Sequence, residues 1–559
     1  MSAYTTPEEH FGAATVPEAV ERAARGGRGI TLLDVSLAET PLPYSLLARS
    51  ARRVATALAG LGVRPGDRVA LISRTDARLL LSLFGVWRAG AVPTVLAPPH
   101  RLSGLPGLVA DLRHRLDQVD ARCVVVADPF GEFLAKRLGR QVTTCGELTA
   151  RRADLAPPIT TDPDEPAYLQ FTSGTTGPSK AVVLTHRQLL TNAVVCCERL
   201  LLDGADSVHA SWAPLYHDLG LVAVVSCAAA GVGLVLQSPE AFLASPDSWV
   251  DAMSRYRATS TVSPNFAYGL AANGMRARPR ALDLSALRVC GDGSEPTRRE
   301  AVEAFTEQGA RYGLRPEAVT PMYGLAEATL SVSMGSLSEP LLWDHVRRGA
   351  LSSRGVAEVV PAHAPGARSL AVVGHPVPGV DLRVVGACGE PLPDRTVGEV
   401  CVRGPSLMLG YWQDPVATAE AVRDGWLRTG DLGYLTPAGL VVCGRVKDMI
   451  IVGGANLYPE DYEHVASRAD GARATCAAFS EPGAERMVVV VEPVDGGDPA
   501  RVAERVMDRL REELGHAPDR VVVVGRGSIP RTSSGKVQRE RCRARYFGGE
   551  LPVVADLPR

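Results

Sequence analysis

Residues Tyr168–Val182 read YLQFTSGTTGPSKAV. An apolar, buried-type strand (AYLQFTS, 167–173) runs into a loop of small and hydroxylated residues: Thr172, Ser173, Gly174, Thr175, Thr176, Gly177, Pro178, Ser179 and Lys180. Small residues let the backbone close around an anion, and hydroxyls and free N–H groups can donate to phosphate oxygens. Lys180 adds a point charge. The competing reading is a flexible Gly/Ser/Thr surface loop, which the preceding strand and the terminal lysine disfavour. It is not a P-loop of the Walker A type: that pattern needs a glycine five residues after the first, followed by Lys, and the residue five after Gly174 is Ser179.

Lysine is scarce in this chain. Of 60 basic residues only Lys136, Lys180, Lys447 and Lys536 are lysine. Where only positive charge matters, arginine has taken over; a compact ammonium and a planar guanidinium are not interchangeable at a tight site. Lys136 sits in a helix-like polar setting, whereas the other three fall in the motifs discussed here.

Outward from the loop, short β-branched runs alternate with Ala/Leu/Arg-rich helical stretches. RVALIS (68–73), CVVVAD (123–128), GLVLQ (233–237), STVSPNF (260–266) and LRVCGDG (287–293) predict strands, and Leu46–Gly60 and Arg187–Leu201 predict helices. This alternation predicts βα units with mainly parallel sheets. After about residue 375, DLRVV, GEVCVRG and GLVVCGR predict a small β-rich subdomain, and from Asp448 onward strands and helices suffice for a separate α+β domain. The fold class expected is therefore α/β. A large N-terminal domain of mainly parallel βα layers with a small β-rich subdomain (1–446) precedes a small mobile α+β C-terminal domain (447–559). Residues 338–370 have weak periodicity and read as an irregular insertion.

The chain has 559 residues, 46% hydrophobic and 22% charged, with a net charge of −2, an ordinary globular balance that gives no argument for nucleic acid. Its start carries acids and no basic segment followed by an apolar one, unlike a secretory signal. Leu219–Gln237 contains no charged residue, but its glycines and its continuity with Tyr216–Asp218 favour a buried helix followed by a strand over a membrane span. The 11 cysteines show no CxxC pair. They read as reduced, mostly buried thiols of a cytoplasmic protein.

With these motifs in order over nearly the whole chain, the sequence resembles the adenylate-forming superfamily of acyl-CoA synthetases, luciferases and peptide-synthetase adenylation domains. The resemblance implies ATP and Mg²⁺ as cofactors and assigns roles residue by residue. Thr172 to Gly177 and Lys180 would hold phosphate. GSEP (Gly293, Ser294, Glu295, Pro296) would line the adenine pocket. In YGLAEATL (323–330), Tyr323 would stack on adenine beside Gly324, and Glu327, with Thr175, would hold the metal, which suits a hard cation that takes few protein ligands. Asp431 in WLRTGDLG would accept ribose hydroxyls. Arg445 in GRVKDMI would contact ribose or phosphate, and Lys447 would mark the hinge between domains. Lys536 in IPRTSSGKVQR would reach the reacting carboxylate and α-phosphate and stabilise the charge that builds there. His217, in SWAPLYHDLGL, would lie near the acyl pocket.

PLYHDLGL, SPNFAY (263–268), YGLAEATL and the insertion 338–370 resemble the fatty acyl-AMP ligase branch in particular. That branch activates a carboxylic acid as acyl-AMP and transfers the acyl group to the phosphopantetheine thiol of an acyl carrier protein; transfer to CoA, as in acyl-CoA ligases, and a non-catalytic acyl- or nucleotide-binding homologue are the alternatives. Departures from the family pattern are Ala181 where Gly is usual, GGANLYPED at the junction, and Asp292 and Ser294 where Asn and Ala are expected. The last change would line the acyl pocket, which extends the expected acids from long fatty acids to short, polar or aromatic ones.

Overall fold

The computed structural model describes residues 4–98, 105–128, 131–150, 160–172, 179–532 and 535–559. The loop core Ser173, Gly174, Thr175, Thr176, Gly177 and Pro178 lies outside the described residues.

The β-branched runs form two sheets whose central strands are buried on both faces, which explains why they read as continuous apolar segments rather than alternating ones. One has four parallel strands, in the order Val92–Leu96, Arg68–Ile72, Cys123–Val126 and Gln141–Thr144. The other has nine strands, and its central run is parallel: Gly29–Leu33, Gly233–Gln237, Val208–Ser211, Ser260–Ser263, Val289–Asp292 and Val319–Gly324. Its register aligns Ser263 with Asp292 and Asp292 with Pro321, so these strands end at one level. In open α/β sheets the crevice at the carboxyl ends of the strands is where ligands bind.

The strand that feeds the phosphate loop departs from the parallel expectation. Pro166–Phe171 pairs antiparallel with Ala181–Thr185, which pairs antiparallel with Gly410–Tyr411. The loop is thus the tip of a hairpin and not a βα turn. Helices form at Tyr44–Gly60 and His186–Arg199, where periodicity places them. The second opens with a capping box, in which Thr185 Oγ1 accepts from Gln188 N–H and Gln188 Oε1 from Thr185 N–H.

The uncharged stretch after Tyr216–Asp218 is a buried helix, Asp218–Ala230, followed by the strand Gly233–Gln237. Gly231, at φ +68°, ends the helix in the left-handed conformation that glycine takes without strain. Among the described residues no helix is long and apolar enough to cross a membrane. All 11 cysteines are unpaired, and all except Cys388 are buried.

Beyond residue 380 come the antiparallel strands Asp381–Val385, Gly398–Arg403, Trp426–Thr436 and Gly439–Arg445. From Ile450 onward the chain builds its own four-stranded sheet, Ala472–Ser480, Met487–Pro493, Arg520–Val524 and Val553–Pro558. The helices Pro459–Ala466 and Pro499–Leu514 share a separate apolar core with it.

The insertion is more regular than its texture indicates. Trp343–Arg347 and Ala367–Ala371 pair antiparallel, with a short helix, Arg348–Arg354, between them. Long-range polar contacts fix it: Asp344 accepts from Tyr434 Oη at 2.8 Å and from Arg395 at 3.0 Å.

Candidate active site

A cavity of about 2920 Å³ opens at the carboxyl ends of the parallel strands, and its walls come from both the large domain and the C-terminal segment. At the phosphate-loop hairpin, Thr172 N–H donates to Lys180 O at 2.9 Å and Lys180 N–H to Thr172 Oγ1 at 3.1 Å. These bonds clamp the neck of the loop. Lys180 Nζ lies 4.5 Å from the centre of the Tyr411 ring. Tyr411 Oη in turn donates to Glu327 Oε1 at 2.9 Å. Tyr411 thus ties the loop lysine to the metal-binding candidate, and the sequence reading missed it because it lies in a strand far along the chain.

Glu327 sits in a 3₁₀ turn, Ala326–Ala328, on the cavity wall. Burial raises its carboxyl above the usual range; the Tyr411 hydroxyl and Arg445 oppose that shift. A cation there would favour the carboxylate. One oriented carboxylate on the cavity wall fits Mg²⁺, which takes few protein ligands and keeps waters and phosphate oxygens as the others. Among the described residues no group of three or more His, Cys, Asp or Glu could hold a metal. Thr175, the other metal candidate, is outside the described residues.

Tyr323, Asp431 and Arg445 form a second cluster. Tyr323 Oη donates to Asp431 Oδ2 at 2.7 Å, and Arg445 Nε donates to Asp431 Oδ1 at 2.7 Å. Asp431 is 4% exposed, and each of its oxygens keeps a lone pair for a further donor. The two donors fix the orientation of the carboxylate between a phenol and a guanidinium. The neighbouring Gly324 is obligatory: a Cβ there would lie 1.8 Å from Leu330 O.

Gly293 and Ser294 line the same cavity with Glu295 and Pro296. Ser294 takes φ +69°. Glu295 Oε1 accepts from Phe266 N–H at 2.7 Å, and burial raises its carboxyl. Asp292, beneath them, is fully buried and accepts from Asn265 Nδ2 at 2.6 Å; desolvation raises its carboxyl well above the ordinary value.

His217 caps the helix Asp218–Ala230, and its Nδ1 contacts the Asp218 carboxylate. Burial pushes the Asp218 carboxyl up, but His217 and Lys536 outweigh it and leave it below the usual value. Lys536, carried by the C-terminal segment, lines this cavity and interacts electrostatically with Asp218, Glu295, Asp431 and Arg445. Desolvation lowers its ammonium pKa, and Asp218 and Glu295 oppose that shift. Its loop is closed locally: Thr532 N–H donates to Lys536 O at 2.8 Å, and Lys536 N–H donates to Thr532 Oγ1 at 3.1 Å. Residues from both ends of the chain therefore meet: Lys180, His217, Glu295, Tyr323, Glu327, Asp431, Arg445 and Lys536 share one cavity. Lys447 is exposed in the short turn Val446–Asp448.

Further contacts join the C-terminal segment to the large domain. Asp461, in the first turn of the helix Pro459–Ala466, is held by Arg348 and Arg368 of the insertion, with Arg368 Nε at 2.9 Å. Arg368 is 6% exposed, stacks over Tyr458 at 4.3 Å and donates to Cys443 O at 3.0 Å. Arg298 donates to Glu460 O at 3.0 Å. Arginine–aspartate pairs at such separations carry no local signal in sequence.

The AMP-binding enzyme family model matches residues 20–412. The chain belongs to that family. It is 32% identical to the medium-chain-fatty-acid–[acyl-carrier-protein] ligase JamA of Moorena producens, over 91% of this chain and 90% of the relative. It is 33% identical to the long-chain-fatty-acid–AMP ligase FadD32 of Mycolicibacterium smegmatis, over 89% and 88%. A solved structure from work on fatty acyl-adenylate ligases of E. coli and L. pneumophila superposes with a TM-score of 0.89 at 29% identity, covering 97% of this chain and 99% of that one. The protein is an ATP-using, adenylate-forming enzyme with the fold of the acyl-adenylate ligases.

Proposed function

We propose that this enzyme converts a carboxylic acid and ATP into acyl-AMP and pyrophosphate, then transfers the acyl group to the phosphopantetheine thiol of a carrier protein. The observation that carries the first half is Lys536, brought by the C-terminal segment into a cavity already lined by Asp431, Arg445 and the phosphate-loop neck. In that step a carboxylate oxygen attacks the α-phosphorus and the bond to pyrophosphate breaks. Lys536 neutralises the charge shared by carboxylate and phosphate, a preorganised electrostatic contribution. Thr172, the adjoining loop through Gly177, and Lys180 hold the β- and γ-phosphates. Asp431 accepts the ribose hydroxyls, Arg445 steadies the ribose and phosphate, and Tyr323 with Gly293–Pro296 frames the adenine. Glu327, with Thr175, would hold Mg²⁺, which when bound offsets phosphate charge. His217 orients Asp218, and through it Lys536, at the mouth of the acyl pocket.

In the second step the thiol attacks the acyl carbonyl and AMP leaves. The two Arg contacts to Asp461 support a carrier rather than CoA, because they tether the C-terminal domain to an insertion of the acyl-AMP ligase type. The relatives JamA and FadD32, by name a carrier-protein ligase and an acyl-AMP ligase, support the same reading. We place the domain boundary at 446/447, with Lys447 as the hinge, and the enzyme in the cytoplasm, in keeping with its unpaired thiols.

The test is to incubate the enzyme, ATP and a panel of acids with either holo carrier protein or CoA. Acyl-carrier formation is expected. Fast acyl-CoA formation would overturn the acceptor, and no pyrophosphate exchange with any acid would overturn the catalytic reading altogether.

A further inference from the structure

Beside Asp218 the cavity wall continues along the helix Asp218–Ala230, away from the reaction centre. Leu219, Ala223, Ser226 and Cys227 line it at helical spacing. Opposite them, Cys196 and Arg199 line it from the end of the helix His186–Arg199. The two helix ends are tied where Cys197 Sγ donates to Ser226 O. From Asp218 to Cys227 the helix rises about 14 Å. An extended chain spans that in about eleven bonds, at roughly 1.2 Å each.

Leu219 and Ala223, nearer the reaction centre, are apolar, but the far end of this wall is not. Ser226 is 1% exposed, and its hydroxyl has no hydrogen-bond partner among the described residues apart from the weak thiol of Cys196. Cys196 Sγ also meets Ser331 Oγ at 3.5 Å. Arg199 lines the same end, half-buried, and makes no ion pair or hydrogen bond with any described residue. Its neighbour Glu198 turns away to Thr5. A simple hydrocarbon pocket gains nothing from a buried, unsatisfied hydroxyl, since buried polar groups without partners are costly, and the half-buried Arg199 adds a charged donor at the same end.

We propose that the acid bound here carries an oxygen-bearing, hydrogen-bond-accepting group at the end of its chain opposite the reacting carboxylate, recognised by Arg199 and Ser226. This rests on the adenylation reading above. The class is a chain of about ten to twelve atoms ending in a hydroxyl, carbonyl or carboxylate. Recognition by hydrogen bonds discriminates more sharply than fit to an apolar wall, because an analogue lacking the group leaves protein donors unpaired.

The experiment is pyrophosphate exchange by the full-length enzyme with saturated acids of matched length, bearing either a terminal methyl, a terminal hydroxyl or a second carboxylate. The wild type should prefer an oxygenated acid by about tenfold or more in kcat/KM. Arg199→Met should collapse the preference for the dicarboxylate, chiefly through KM, and Ser226→Ala that for the hydroxy acid. Equal or better use of the methyl-terminated acids by the wild type would overturn the proposal, and Arg199 would then be a solvated cap on a hydrocarbon tunnel. A preference that survives in both variants would overturn it too. Exchange with the methyl acids alone leaves the adenylation reading standing; exchange with none of the three classes removes that reading as well.

Discussion

Around Asp431 the site is wired in advance. Both carboxylate oxygens are engaged, one by Tyr323 and one by Arg445, and the carboxylate is nearly inaccessible. Around Lys536 the construction is different. Its backbone is fixed by Thr532, but its ammonium makes no hydrogen bond with the described residues and faces Asp218 and Glu295 only through their field. The nucleoside corner belongs to the large domain and is complete without the C-terminal segment. The activating charge is brought to the cavity by that segment. On the proposed reading, nucleotide binding would then rest on the residues before 447 and chemistry on their contact with the segment that carries Lys536.

The largest effect should come from the delivered group. Lys536→Ala should lower the rate of acyl-AMP formation by about 10²–10³ or more, the scale for loss of one preorganised transition-state charge partner. Nucleotide affinity and the thermal midpoint should barely change, because the lysine lies outside every apolar core. Most of the pyrophosphate exchange surviving in the variant would mean that the two corners do not divide the work in this way.

Next is the docking itself. Asp461→Asn removes the charge that Arg348 and Arg368 share, and leaves a 6% exposed guanidinium without its anion. The cost to the docked arrangement should be about 2–3 kcal/mol, below the usual figure for a broken buried pair because Tyr458 and Cys443 O still hold Arg368. Faster proteolysis near residues 446–448, with intact secondary structure, would register it. If release of the clamp also lets CoA compete with the carrier protein, the insertion governs the acceptor. Lys447→Pro tests the same movement from the hinge, since proline fixes φ. It should slow thioester formation more than adenylation, measured as single-turnover rates for each step, and equal losses would remove the pivot.

A smaller effect belongs to the prewired corner. Tyr323→Phe takes one donor from a buried carboxylate, which should cost about 1–2 kcal/mol. KM for ATP should rise about tenfold while kcat with saturating ATP changes little. A fall in kcat alone would place Tyr323 with the chemistry instead.

The Asp431, Arg445 and Lys536 motifs were legible through their resemblance to a family pattern in the expected order, Lys536 also through the scarcity of lysine, and the parallel sheet because strands buried on both faces are apolar throughout. The sequence did not reveal that Pro166–Phe171 pairs antiparallel, since alternation of side chains says nothing about a partner's direction. Nor did it reveal Tyr411. A tyrosine among many gains meaning only when a hairpin partner brings it over Lys180 and beside Glu327. The insertion looked irregular for a similar reason: what orders it is Asp344 against Tyr434 and Arg395, residues 90 and 51 positions away.

The subtlest test reads the field between the two corners. Burial lowers the ammonium pKa of Lys536, and Asp218 and Glu295 oppose that shift. Exchange needs the ammonium, so in the alkaline range activity should fall as pH rises through a value below the ordinary lysine pKa of about 10.4. Asp218→Asn removes a negative charge that favours the protonated form. The alkaline limb should therefore move to lower pH, whatever the variant does to the maximal rate. The direction is the diagnostic part, because loss of substrate contacts would scale the profile without moving its limb. A limb that stays in place, or that moves to higher pH, would show that the group titrating there is not a lysine held charged by Asp218.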